Sequence, residues 1–361
     1  MMISKVRFYP LLLSLFLLAV LAACVAPAAP TASSAPAPAP AADNNSSQAG
    51  TLNTTYPLTI SDCSGHTTTY NEAPQTPVTL DPQSYEMMFW LGLGQKQIAA
   101  GPQPLPAVPD QFKEQTSTVT TLARAEGADY VSKEVLLAAK PDFVYGAYRS
   151  GFNGDTMFSE EEWAAKGVNS YLSFSGGGCK GEDASAPRVN LNKTFLDIKN
   201  LGKIFDIQDQ ANALIARMKS DLETALKSVG DGEKLRVGMF EPGEYYDERP
   251  GVMGATSTTN AIITLAGGVN AFGDIEDAYQ QTTWEEYIKR DPQVIIVIAY
   301  PAAAPQAWID GEKLLSEMPA LQNVSAIKDR RFVRLTFPEM GFGGVRNVDA
   351  VKKLAEALAG K

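Results

Sequence analysis

The sequence predicts an α/β protein of two lobes, each a mostly parallel sheet with flanking helices, joined by a helical backbone connector. Three observations predict it. Short β-rich stretches alternate with helical ones through both halves, the pattern that parallel sheets require. Residues 191–229 form a long helical block without β signals. Residues 56–361 are also more than one hydrophobic core usually serves.

The elements follow in order. Residues 56–190 form the N-terminal lobe. Strands are expected at Pro77–Leu80, Gln97–Ala100, Asp142–Tyr145 and Val168–Leu172, and helices at 82–91, 132–139 and 159–166. The first helix has marked ends: Asp81 is an N-cap type, Pro82 suits the first helical position, and Gly92 suits a left-handed stop. Its interior is apolar on more than one face, through Tyr85, Met87, Met88, Phe89, Trp90 and Leu91. Glu86 disagrees, a carboxylate with no cation beside it in the chain. The connector, 191–229, reads NKTFLDIKNLGKIF, breaks near Asp206, and resumes as DQANALIARMKSDLETALKSV. The C-terminal lobe, 230–361, restarts with strand LRVGMF and a helix near 257–266 stopped at Gly267-Gly268. Helix TTWEEYIKR, strand VIIVIA, a helix at 312–318, strand RFVRLTF and a last helix from about Asn347 complete it.

The N-terminus implies export. Lys5 and Arg7 precede an uncharged apolar run from Leu11 to Ala23, too short to span a bilayer. Leu21-Ala22-Ala23-Cys24 resembles a bacterial lipobox, so 1–23 are read as a signal peptide and Cys24 as the lipidated mature N-terminus. Residues 24–55, rich in Ala, Pro and Ser, bury too little apolar area to offset ordering and read as a disordered tether. Cys63 and Cys179 then remain. Outside the cytosol that favours a disulfide over two buried thiols.

There are 31 Lys and Arg against 41 Asp and Glu, a net charge of −10. Removal of Lys5 and Arg7 makes it more negative, which argues against nucleic acid or an anionic membrane face as partner.

The stretches TISDCSGHTTTYNEAPQTPVTLDPQSYEMMFWLGLG, LLAAKPDFVYGAY, LGKIF…ANALIARM, WEEYIKRDPQVIIVIAY and DRRFVRLTF together resemble the periplasmic-binding-protein family of iron–siderophore and cobalamin ABC importers. The resemblance spans about residues 56–358. It implies a bilobed receptor, not an enzyme, that traps a metal chelate in its cleft and delivers it to a membrane permease. It also implies that an acidic residue in the first helix of each lobe projects from the surface and pairs with a permease arginine. Glu86 occupies that place in the first lobe; an ordinary solvated glutamate is the bland reading. The second lobe has Thr264 at the matching position, so docking there would be absent or would use Glu276 or Asp277.

In open α/β sheets ligands meet the loops after the strands' carboxyl ends. Those loops offer Tyr148 and Arg149; Tyr245, Tyr246, Asp247 and Arg249; Tyr300, reaching Trp308; and Phe337, Glu339, Phe342 and Arg346. Aromatic faces with arginines suit a bulky, planar or anionic chelate. Trp284, at a helix start, reads as core.

Absences narrow the chemistry. His66 is the lone histidine, in a hairpin turn, whereas a site for bare zinc or manganese usually needs several, as does His-ligated haem. No nucleophile-elbow GxSxG is present, and the glycines of FSGGGC and GFGG lack dinucleotide-fingerprint spacing. The expectation is a monomeric cell-surface lipoprotein, without cofactor or metal ligands of its own, that binds a ferric siderophore. Cobalamin, another corrinoid or haem is the rival ligand. A carboxylate-dependent extracellular hydrolase is the rival of another class.

Overall fold

A computed structural model describes residues 52–100, 108–125, 128, 130–177, 179–181, 183, 186–230, 232–244, 249–300, 304–341 and 343–360. All belong to one compact unit, Gly50–Lys361. The signal peptide, Cys24 and all but the end of the tether lie outside the described residues.

Thirteen strands are described: β1 Leu58–Ser61, β2 Thr67–Tyr70, β3 Pro77–Thr79, β4 Ile98–Ala99, β5 Thr120–Thr121, β6 Phe143–Gly146, β7 Asn169–Leu172, β8 Arg236–Phe240, β9 Gly251–Met253, β10 Val269–Asn270, β11 Tyr279–Gln281, β12 Val294–Ala299 and β13 Phe332–Thr336. The helices are α1 Pro82–Trp90, α2 Lys113–Thr116, α3 Lys133–Ala138, α4 Glu160–Ala164, α5 Asn192–Ile204, α6 Gln208–Leu226, α7 Thr258–Leu265, α8 Trp284–Arg290, α9 Ala304–Glu317, α10 Ser325–Lys328, α11 Phe337–Met340 and α12 Asn347–Leu358. The N-terminal lobe holds a parallel sheet ordered β5-β4-β3-β6-β7, with the antiparallel hairpin β1–β2 beside it. The C-terminal lobe holds a parallel sheet ordered β10-β8-β12-β13 and the antiparallel pair β9–β11. The α/β, two-lobed class is as the alternation predicts.

Each lobe forms its elements for local reasons. In α1, Asp81 accepts from the backbone N–H of Gln83 and Ser84, and Gly92 adopts φ 75° past the last turn, where a side chain would be strained. Met87, Met88 and Leu91 pack against Phe143 of the sheet and Ile198, Leu201 and Leu214 of the connector. All six residues of β12 are buried, and each large aliphatic there contributes on the order of 1.5–3 kcal/mol by leaving water. The connector breaks at Asp206, whose φ is 56°, between α5 and α6. Leu222 of α6 packs against the cores of both lobes.

Two differences from expectation have physical causes. The helix expected at 312–318 starts at Ala304 instead; Pro305 sits in its first turn, where a missing N–H costs nothing, so the proline opens the helix rather than excluding it. Strands β5, β9, β10 and β11, two or three residues each, are too short to show a periodic signal. The structure joins Cys63, in the turn after β1, to Cys179, beyond β7, closing a loop of 116 residues.

Candidate functional site: the cleft between the lobes

The cleft is built from the carboxyl ends of both sheets. On the N-terminal side, β3 runs into Asp81, which is 4% exposed. One of its oxygens accepts from Gln83 and Ser84 N–H at 3.0 and 2.9 Å, and the other accepts from Ala147 N–H at 2.6 Å. A single carboxylate therefore caps α1 and pins the loop that carries Tyr148. Burial pushes its pKa up to about 6, against those hydrogen bonds. Tyr148, half-buried, has its hydroxyl pushed well above the ordinary phenol range, by burial first and then by Asp81, Tyr300, Tyr130 and Glu241. Those neighbours come from both lobes.

On the C-terminal side, Glu241 follows β8 and is 2% exposed. Tyr300 follows β12 and stacks on Phe337, which follows β13, with ring centroids 4.6 Å apart and 18° between planes. A cavity of about 230 Å³ lies here, lined by Gly176 of the N-terminal lobe and by Glu241, Met253, Thr258, Tyr279 and Phe337 of the C-terminal lobe, among others.

Polar bridges tie the lobes beside the cleft. Gln83 Nε2 donates to Gly343 O at 2.5 Å. Arg188 Nη1 donates to Ser175 O and to Thr258 Oγ1, both at 2.8 Å. Arg346 forks onto Glu86: Nε donates to Oε1 at 2.8 Å and Nη2 donates to Oε2, while Trp90 Nε1 donates to Oε1 at 2.9 Å. Glycine is needed at 343 because a Cβ there would stand 2.1 Å from Ser175 Cβ. That close approach accounts for one glycine of GFGG without any phosphate.

Several sequence expectations are corrected. Glu86 is not an exposed, cation-free carboxylate: it is 8% exposed and bidentate to Arg346, 260 residues away. Arg346 is accordingly engaged by Glu86 rather than aimed into the cleft. Trp308 lies in α9, where Nε1 donates to Leu335 O at 3.0 Å and its ring packs in the second lobe's core. Glu339, 6% exposed, closes a capping box with Thr336 and pairs with Lys353. Despite burial, those partners hold its carboxyl below the usual range. Arg249 is exposed and its Nε donates to Thr282 O at 3.2 Å, bracing its own loop.

Of the other candidates, Tyr148, Tyr300 and Phe337 converge on the cleft, and Arg149 is exposed. Tyr245, Tyr246, Asp247 and Phe342 lie outside the described residues. Thr264 donates back to Asn260 O, while Glu276 and Asp277 are exposed. Trp284 packs beside Phe240 and Tyr287. His66 Nδ1 stands 3.9 Å from Glu161. The reading of loops missed Glu241, although it directly follows a strand. Met253 and Thr258 carried no signal, because they belong to a short strand and a helix start.

Among the described residues, no group of three or more His, Cys, Asp or Glu is placed to hold a metal ion, and no helix is long and apolar enough to cross a membrane. The model of one family, periplasmic binding protein, matches residues 78–338. The chain belongs to the periplasmic binding protein family. It is thereby a solute-binding protein of the kind that serves ABC importers. A relative in this family, an uncharacterized ABC transporter substrate-binding lipoprotein, YvrC of Bacillus subtilis, is 22% identical over 88% of this chain and 90% of its own length. The vitamin B12-binding protein of Vibrio campbellii is 24% identical over 74% of this chain and 84% of its own. Among solved structures, an ABC-type Fe3+-hydroxamate transport protein of Saccharomonospora viridis superposes with a TM-score of 0.68 at 20% identity, covering 84% of this chain and 99% of that one. The first two are named as binding proteins, and the superposition shows that the two-lobed fold with its helical connector is shared with the third.

Proposed function

We propose that this periplasmic binding protein captures a metal chelate, a ferric siderophore, between its lobes and delivers it unchanged to an ABC permease. The observation that carries the reading is the cavity of about 230 Å³ where the carboxyl ends of the two sheets meet, walled by Phe337, Tyr279 and Met253. Its volume is below the roughly 300–1,000 Å³ usual for ligand pockets, so the lobes part to admit a chelate. Tyr148, Tyr300 and Phe337 supply ring faces, and exposed Arg149, next to Tyr148 in the chain, is a further candidate contact. The protein is held to the membrane by lipid on Cys24 after loss of residues 1–23, with 24–55 as tether. The lobes span 56–190 and 230–361 about the connector 191–229. Exposed Glu276 and Asp277 suit permease contact as they stand; Glu86 reaches a permease arginine only by releasing Arg346.

Cobalamin is a second reading, because a vitamin B12-binding protein is among the relatives; haem held by tyrosine is a third. Native mass spectrometry of the protein purified from iron-starved cells should show a co-purified ferric chelate. Fluorescence titration should then give tighter binding of a ferric chelate than of cyanocobalamin or haemin. Tighter binding of either competitor transfers the assignment to it, and turnover of any ligand would overturn the receptor reading.

A further inference from the structure

Where Gly176 lines the cavity, the wall is main chain, and no side chain there can set its place by packing. Gly176 ends the turn Phe174–Gly176, which follows β7. A Cβ on Gly176 would stand 1.9 Å from Ala147 O, so the turn lies against the loop that carries Tyr148. Ser175 O accepts from Arg188 Nη1 at 2.8 Å, and Gly343 of the C-terminal lobe leaves room for the Ser175 side chain. The turn is thus the first lobe's contribution to the place where the lobes meet.

Asp197 of α5, 0% exposed, holds this turn from the connector. Its Oδ1 accepts from the Tyr171 hydroxyl at 2.7 Å and from Phe174 N–H at 2.9 Å. Its Oδ2 accepts from Ser175 N–H at 2.9 Å. Buried backbone N–H groups need partners. Only a carboxylate presents acceptors on both oxygens; an asparagine would turn its NH2 toward one of the three donors. A wall held in place before the ligand arrives need not be ordered on binding, and that saved ordering appears as affinity.

We propose that Asp197 is a positioning residue for the cleft: without touching the ligand, it fixes the main-chain wall at Phe174–Gly176 from the connector. The proposal rests on the receptor reading above and adds what keeps that site in shape. The disulfide at Cys179 still ties down the far end of the segment when Asp197 is replaced, so the disturbance stays local.

The test compares the full chain with its Asp197→Asn variant in fluorescence titrations with ferric desferrioxamine B, cyanocobalamin and haemin. The probe that the wild type binds tightest should lose about tenfold or more in affinity, as expected when a charge-assisted hydrogen bond to the wall is lost. Leu315→Ala is the control, a core truncation in the second lobe that does not line the cavity. It should lower the urea midpoint and leave affinity unchanged. Amide exchange should rise at Phe174 and Ser175 in Asp197→Asn while β7 stays slow. Wild-type affinity in Asp197→Asn, an equal loss in Leu315→Ala, or a uniform rise of exchange through both lobes overturns the proposal. One measurement needs no variant and no ligand: in the wild type, the Phe174 and Ser175 amides should exchange as slowly as those of β7. Fast exchange there overturns the proposal even if Asp197→Asn fails to fold. Failure of all three probes to bind the wild type overturns the receptor reading instead, and the hold of Asp197 on the turn is then decided by exchange alone.

Discussion

Replacing Glu86 with glutamine should destabilise the protein strongly, and the ion pair sets the size. The two side chains are 14% and 10% exposed, so solvent screens the pair little. Glutamine keeps the volume but loses one charge, leaving the Arg346 guanidinium buried against a neutral amide. Two charge-assisted hydrogen bonds weaken, and Trp90 Nε1–H keeps only a neutral acceptor. Breaking one side of a buried pair typically costs about 3–5 kcal/mol, most of it the desolvation of the stranded charge. Arg346→Met should cost a similar amount. The double variant Glu86→Gln/Arg346→Met, with no charge left to strand, should cost far less than the sum of the two. Urea unfolding of all four proteins gives the coupling free energy directly. Because the bridge joins α1 to the start of α12, the single variants should also raise amide exchange at both ends of the bridge. A loss below about 1 kcal/mol in Glu86→Gln, or a coupling near zero, would refute the argument and return Glu86 to the surface role that the sequence alone suggested.

Other outcomes are open to direct measurement. Cys24→Ser should move the protein from the membrane fraction to the soluble fraction and abolish palmitate labelling; a membrane-bound mutant would refute the lipid anchor. Cys63 and Cys179 should resist alkylation until reductant is added. Reduction should then cost about 4–5 kcal/mol in the chain-entropy treatment of a 116-residue loop; free thiols in the untreated protein would contradict the bond. Glu160 is 5% exposed, and its pKa is raised to about 9 from 4.5 by burial first and then by its hydrogen bond with Asp62. The folded state therefore holds a proton that the unfolded chain gives up. This contribution is present in full below about 4.5 and is lost as pH rises toward about 9. Glu160→Gln should flatten the fall of stability across that window; an unchanged pH profile would show that the proton is not there.

Local information settled most of the secondary structure. The α1 cap at Asp81, the stop at Gly92 and the six apolar residues of β12 act through contacts within a few positions, so they are legible in one dimension. The alternation that gives parallel sheets and the helical connector are legible for the same reason. The lone histidine likewise ruled against a site built on several imidazoles. What escaped were pairings across long sequence separations. Glu86 looked unpartnered because its arginine lies 260 residues on, in the other lobe. Glu241 was not among the candidates, because only packing shows which side chain forms the cavity wall. The sequence excluded a dinucleotide fingerprint for the glycines of GFGG but gave no reason for Gly343, which is the close approach of Ser175 from the opposite lobe. The physical reason is common to all three. Helix caps and strand periodicity are set by neighbours a few bonds away, whereas charge compensation, close approach and cavity lining depend on which distant segments meet when two sheets are folded about the connector. The sequence by itself determined the two-lobed class and the rings at the strand ends; the tertiary structure decided which arginines were already engaged and which side chains wall the cavity.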